Sequence, residues 1–270
     1  MTDFFISIYR LFKTFFTKRI FSIFNSFEDV RYLFFFSVKS FFKREEKGSS
    51  IINKIIKNQI YFTGVQSFFL VSVVSLMLGA VVVVQSVTQL SKINAEAYIG
   101  KILLLVIVRE LGPIFTALIV IGRSASAIAT EIGNMSIAKE IEALDSLGVD
   151  PLRYILIPRL WGVTVSLVLL TVYFNVIGIS GGFLAAKLTL SSSFSVLFNN
   201  LMNTITSIDV VVAFLKSLGF GIIIAIISVY EGFKVRISLT EVPQAATKAV
   251  VNSLLYSFFF NSILTVLFYI

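Results

Sequence analysis

The chain has 270 residues, of which 57% are hydrophobic and 14% charged, with 28 Phe and a formal net charge of +8. Soluble domains run at about 45–50% apolar and about 25% charged, so a water-soluble monomer is excluded: its polar residues could not cover the apolar mass. Cysteine and histidine are both absent, which excludes disulfides, zinc–thiolate centres, cysteine nucleophiles and histidine-based triads.

No cofactor, metal site or catalytic residue is therefore expected. The positive charge of so apolar a chain points to a membrane surface and its phospholipids, not to nucleic acid.

Residues 1–57 hold 13 of the 28 Phe, with eleven basic and five acidic residues. Phe5, Ile8, Phe12 and Phe15, then Ile20, Ile23, Phe24 and Phe27, recur at helical spacing with Arg10, Lys13, Lys18 and Arg19 among them. The pattern reads as one or two amphipathic helices lying in the membrane interface, Phe side down, the alternative being a soluble helical hairpin packed on a partner. Charge interrupts the apolar stretch, so it is not read as a cleavable signal. Residues 58–270 form the second region, the transmembrane domain.

There the gaps between charges mark the spans. Residues 58–91, 160–186 and 249–270 are uncharged. Residues 102–130 contain Arg109, Glu110 and Arg123, and residues 210–230 contain Lys216. Each stretch meets the roughly 20 residues that a helix needs to cross the hydrocarbon layer. The expected fold is an all-α integral membrane protein with about five transmembrane helices. Eighteen Lys and Arg fall on the side of residues 1–57 and the loops near 123–159 and 231–248, against three on the other side. The positive-inside rule then puts the N-terminus in the cytoplasm and the C-terminus outside.

Arg109 and Glu110 stand between apolar runs, just before Gly112 and Pro113. Pro113 removes a backbone donor, so the second span is expected to form two helical pieces. Neighbours on a helix point about 100° apart, so these two charges do not pair with each other. They are either lining for a lipid pocket or partners in interhelical ion pairs. Asp209 and Lys216, seven residues apart, share one helical face. Asp209 is expected at the outer boundary, and deeper Lys216 either contacts a headgroup or snorkels to water.

The segment from Gly122 to Pro158 is the most informative. Ala125, Ala129 and Gly133 recur every four residues, a spacing that permits close helix contact in lipid. Residues 136–147 read as a short amphipathic helix with Ile137, Ile141, Leu144 and Leu147 on one side and Lys139, Glu140, Glu142 and Asp145 on the rest. Gly148 fits a C-terminal cap, and Asp150-Pro151 fits the start of the next helix.

An ordered series of short motifs runs through these segments. It comprises Glu110–Pro113 (ELGP), Gly122–Ser126 (GRSAS), Thr130–Met135 (TEIGNM), Glu140 to Leu144 with Gly148–Pro151 (GVDP), Pro158-Arg159, Phe214–Gly221 (FLKSLGFG) and Ala246–Ser253 (ATKAVVNS). The series resembles the MlaE/YrbE-type permeases, membrane subunits of ABC transporters that work with MCE proteins on lipids. The resemblance covers most of residues 60–268.

It implies a permease that pairs with a second copy of itself, with a separate ABC ATPase subunit on the cytoplasmic side and an MCE-domain protein outside. The short helix carrying Ile137, Glu140, Ile141 and Leu144 would be the cytoplasmic coupling helix. Arg109, Glu110, Lys216 and Lys248 would meet lipid. Lys248 stands where the family often has Arg, and Asn261 where an Asp is common. No Gly-x4-Gly-Lys-Ser/Thr loop occurs, so ATP is expected on another subunit. The competing readings are a membrane-embedded lipid-modifying enzyme and a non-transporting scaffold.

Overall fold

The structure is a computed structural model that describes residues 49–93, 98–189, 204–236 and 238–269. Of the interfacial segment expected at residues 1–57, residues 1–48 lie outside the described residues and residues 49–57 belong to the first described helix. The described chain is helical: α1 (Ser49–Thr63), α2 (Phe68–Leu90), a long composite α3 (Ile99–Ile137), a short α4 (Glu140–Ser146), α5 (Pro151–Thr189), α6 (Ser207–Phe233) and α7 (Glu241–Tyr269).

Among the described residues, five helical stretches are long and apolar enough to cross a membrane: Ile52–Leu90, Ile99–Ile137, Pro151–Leu188, Ser207–Phe233 and Glu241–Tyr269. They match the five charge-free or charge-poor stretches to within a residue at two ends and extend beyond them at the others. The reason is plain for the first, where α1 continues through Lys54 and Lys57 with both side chains exposed. A charge at the water-facing end of a helix costs little.

The second span departs from the sequence expectation. It is one continuous helical stretch, not two pieces. Strain at Gly112-Pro113 is absorbed by a π-helical segment, Leu104–Leu111, and a second π segment follows at Ile121–Ala125. Gly112 itself stays right-handed helical and donates its N–H to the carbonyl of Ile107, five residues back. A wider turn of this kind lets the chain pass proline without breaking.

Association in lipid gains little from the hydrophobic effect, so close backbone approach has to supply the packing. Long α5 serves as the central post, flanked by α2, α6 and α1. Gly79 of α2 lies against the backbone of Gly178, where a Cβ would collide with the carbonyl. One turn away, Ser75 Oγ donates to the carbonyl of Phe174. The Ala125–Ala129–Gly133 stripe behaves as expected. Ala125 and Ala129 are buried, and Gly133 sits under Val235 and Val242. Gly122, on the neighbouring stripe, faces open space. Large apolar side chains such as Phe69, Met77, Phe259 and Leu267 cover the periphery and stay exposed, as lipid contact requires.

Candidate functional site

The site is assembled where the π segment of α3 meets α6 and α7. Arg109 and Glu110 occupy the last turn of that segment. In an α-helical register the carbonyl of Arg109 would receive the N–H of residue 113, and proline has none. That carbonyl accepts instead from Lys216 Nζ of α6, at 3.1 Å. The same ammonium donates to Glu110 Oε1 at 2.8 Å and to Thr265 Oγ1 of α7 at 2.8 Å. An ammonium has three N–H donors, so Lys216 is fully satisfied although its side chain is wholly buried.

Glu110 is equally well held. Thr265 Oγ1 donates to its Oε1 at 3.0 Å, and Asn261 Nδ2 donates to its Oε2 at 3.1 Å. A second pair lies two turns toward the helix end. Arg109 Nε stands 2.6 Å from Asp209 Oδ1, while the other Asp209 oxygen accepts from the N–H and hydroxyl of Thr206 at 2.9 and 2.7 Å. Asp209 thus caps the start of α6 as well as pairing with α3. The Arg109 guanidinium also lies over the Tyr269 ring, 4.4 Å from its centre.

Two positive and two negative groups therefore share one low-dielectric region with no net charge. Their desolvation is offset only by good geometry, and removing one member strands its partner. The burial is uneven. Asp209 and Lys216 are wholly buried, whereas the side chains of Arg109 and Glu110 remain 22% and 31% exposed. The cluster is anchored from behind by α6 and presents one cation and one carboxylate at its open side.

Of the residues singled out in the sequence, Arg109, Glu110 and Lys216 come together. The interhelical pairing is realised, and Lys216 does not snorkel. Lys248 stands apart: it is exposed on α7, 17 residues before Thr265 and so about 25 Å away along the helix. Thr265 and Tyr269 were not singled out. Their signal was a polar or small residue every fourth position of the last span, at Ser253, Ser257, Asn261, Thr265 and Tyr269. Successive members of that series lie only about 40° apart around the helix, so Asn261, Thr265 and Tyr269 fall on one side of α7. Among the described residues no group of three or more acidic side chains could hold a metal.

At the other end of the bundle the loop after α3 is sharply shaped. Lys139 adopts a left-handed conformation (φ 58°) and ends α3, with Lys139 N–H bonded to the Ser136 carbonyl. The short helix is therefore Glu140–Ser146, narrower than residues 136–147. Ile137 belongs to α3, where it packs on Val235, Val242 and Ala245. Ile141 and Leu144 are half-buried and Glu140 is exposed.

Gly148 (φ 75°) closes α4. Its N–H bonds to the Asp145 carbonyl, and that of Val149 bonds to Leu144, the Schellman pattern. Asp150 Oδ1 then accepts from the N–H groups of Leu152 and Arg153 at 3.0 and 3.3 Å, capping α5 as its sequence predicts.

Comparison with known proteins adds independent observations. A family model, Permease MlaE, matches residues 56–267. A probable ABC transporter permease protein of Rickettsia prowazekii is 34% identical over 215 residues, 80% of this chain and 83% of its own. The intermembrane phospholipid transport system permease protein MlaE of Haemophilus influenzae is 32% identical over 218 residues, with the same coverage. The chloroplastic protein Trigalactosyldiacylglycerol 1 of Arabidopsis thaliana is 28% identical over 228 residues, 81% of this chain and 65% of its own.

Proposed function

The chain belongs to the MlaE permease family of multi-pass membrane proteins, and from that premise we propose that it moves a phospholipid or related lipid as the permease subunit of an ABC transporter. The observation that carries the reading is the charge cluster at Arg109, Glu110, Lys216 and Asp209. Charges inside a membrane helix cost a few kcal/mol each, by about 2.5–3.5 on insertion scales, and are kept where they serve a path or a ligand. Arg109 and Glu110 face the open side and meet the lipid headgroup. Lys216 and Asp209 hold them in place.

Transport runs between the inner membrane and an outer MCE-type partner. The basic loop end, carrying Lys139, Arg153, Lys234 and Arg236, lies in the cytoplasm with the N-terminus, and the C-terminus lies outside. On this reading the cluster sits in the outer half of the bilayer. Lys248, at the basic end, serves headgroups of the inner leaflet as a point charge without bidentate geometry.

ATP is hydrolysed on a separate subunit. Glu140, Ile141 and Leu144 of α4 dock on it, and Ile137 ties the foot of α3 to α7 and the loop before it. The rigid caps at Lys139, Gly148 and Asp150 suit α4 to pass on movement as a body. A second copy of the chain completes the permease.

The test is purification from native membranes in mild detergent, with mass spectrometry of co-purified proteins and lipids, for the parent chain and Glu110→Gln. An ATPase and phospholipid are expected with the parent, and several-fold less lipid with the variant. Recovery of the chain with neither companion would refute the proposal.

A further inference from the structure

A second feature lies at the basic end, where an open cavity of about 830 Å3 separates α1, α3 and α5. Pockets for small ligands run at about 300–1,000 Å3. Phe62, Ile128 and Met135 supply apolar wall, and Glu131, Glu140 and Arg159 supply the charges. Arg159 is the unusual member. Its side chain is only 8% exposed, its Nη2 pairs with Glu131 Oε1 at 2.6 Å, and its buried Nε has no hydrogen-bond partner. Glu131 is 54% exposed and Glu140 is exposed, so both carboxylates can turn toward a ligand.

A guanidinium carries five donors in a fork that suits phosphate. Two carboxylates against one guanidinium disfavour a simple anion. A ligand that brings a phosphate and a cation on one short tether satisfies all three.

Depth agrees. The second span has 39 residues, about 58 Å against about 40–45 Å for a bilayer with its headgroups. Its ends therefore overhang by several ångströms. Glu131 lies six residues from the end of α3, about 9 Å in, at the headgroup layer. The mixed lining then places charge beside headgroups and the deeper Phe62 and Ile128 beside acyl chains.

We infer that this cavity seats a zwitterionic phospholipid headgroup, its phosphate on Arg159 and its ammonium on Glu131 and Glu140. It is a second lipid station, in the opposite half of the bundle from Arg109 and Glu110. The inference rests on reading the chain as a lipid permease.

The experiment uses the full chain in uncharged maltoside micelles. Photoactivatable phosphatidylethanolamine, phosphatidylglycerol and diacylglycerol probes are crosslinked, and the adducts are mapped by mass spectrometry. The ethanolamine probe is expected to label residues 55–62 and 127–138 at least fivefold more than the other two. Arg159→Gln should abolish that labelling. Glu131→Gln should shift the preference toward phosphatidylglycerol, because it frees the guanidinium and removes one of the ammonium's two carboxylates. That ratio is read within one sample, so a general loss of fold cannot imitate it.

Equal labelling by all three probes, or an unchanged ratio in Glu131→Gln, would overturn the inference. So would full protection by millimolar glycerophosphoethanolamine, which would mean a soluble headgroup and no lipid. Labelling confined to Asn261 and Thr265 would sink this station and leave the proposed function standing. Labelling at neither end would sink the proposed function itself.

Discussion

Lys216 Nζ holds the carbonyl oxygen of Arg109 at 3.1 Å, the oxygen that Pro113 deprives of an α-helical donor. A backbone defect in one helix is thus repaired by the buried charge of another. That charge is in turn neutralised by Glu110 at 2.8 Å. The proline, the π segment and the ion pair form one unit, which explains why a proline three residues from a charge is tolerated inside a span.

Lys216→Met should destabilise the protein strongly, since it strands the Glu110 carboxylate and the Arg109 carbonyl together. Breaking a buried pair costs about 3–5 kcal/mol. The lower end is expected, because Glu110 is partly exposed and can rehydrate. Adding Glu110→Gln should recover part of the loss. Unfolding of both variants in mixed detergent measures it, and equal stability of parent and single variant would refute the coupling.

Pro113→Ala supplies the missing N–H. The Arg109 carbonyl then needs Lys216 less, so Lys216→Met should cost about 1 kcal/mol less in the Pro113→Ala background, the net value of one hydrogen bond. A double-mutant cycle on unfolding free energies tests this. Strict additivity would show that proline and lysine act separately.

Gly79→Val should weaken the α2–α5 crossing by about 3 kcal/mol or more, the upper end of overpacking costs, because its Cβ meets the carbonyl of Gly178. Gly122→Ala, at a helical glycine facing open space, should be neutral or stabilising by up to about 1 kcal/mol. Thermal stability in detergent distinguishes the two.

Gly148→Ala places a side chain at φ 75° and should cost about 1–2 kcal/mol. Asp150→Ala removes a helix cap worth about 0.5–2 kcal/mol. Either change should loosen α4 without melting the bundle. Amide exchange across residues 140–153 should speed up about tenfold, while α5 beyond Arg159 keeps the parent rate.

Leu144→Glu should leave the fold intact, since Leu144 is half-buried at the loop end. The expected effect is at least a tenfold loss of co-purifying ATPase. An undiminished complex would count against docking through α4.

The spans were readable because lipid imposes a one-dimensional rule: about 20 residues without costly charge. Caps were readable for a similar reason. Gly148, Asp150 and Pro151 act on neighbours in the chain, and the structure forms the turn they specify. The end of α3 was not, because nothing in the sequence around Lys139 announces a left-handed residue. Ile137 was consequently assigned to the wrong helix.

Sequence by itself determined that this chain is a bundle of about five apolar helices with a few misplaced charges, because the cost of burying a charge depends on the residue and its surroundings in the chain. It could not choose the partners of those charges. Arg109 and Asp209 are 100 residues apart, and Glu110 and Lys216 are 106 apart. Only helix packing, fixed by the close approach of Gly79 to Gly178 and of Gly232 to Ala129 and Ile132, decided which pairs meet. Coulomb attraction between buried groups acts over a few ångströms of space, and chain separation carries no record of that distance.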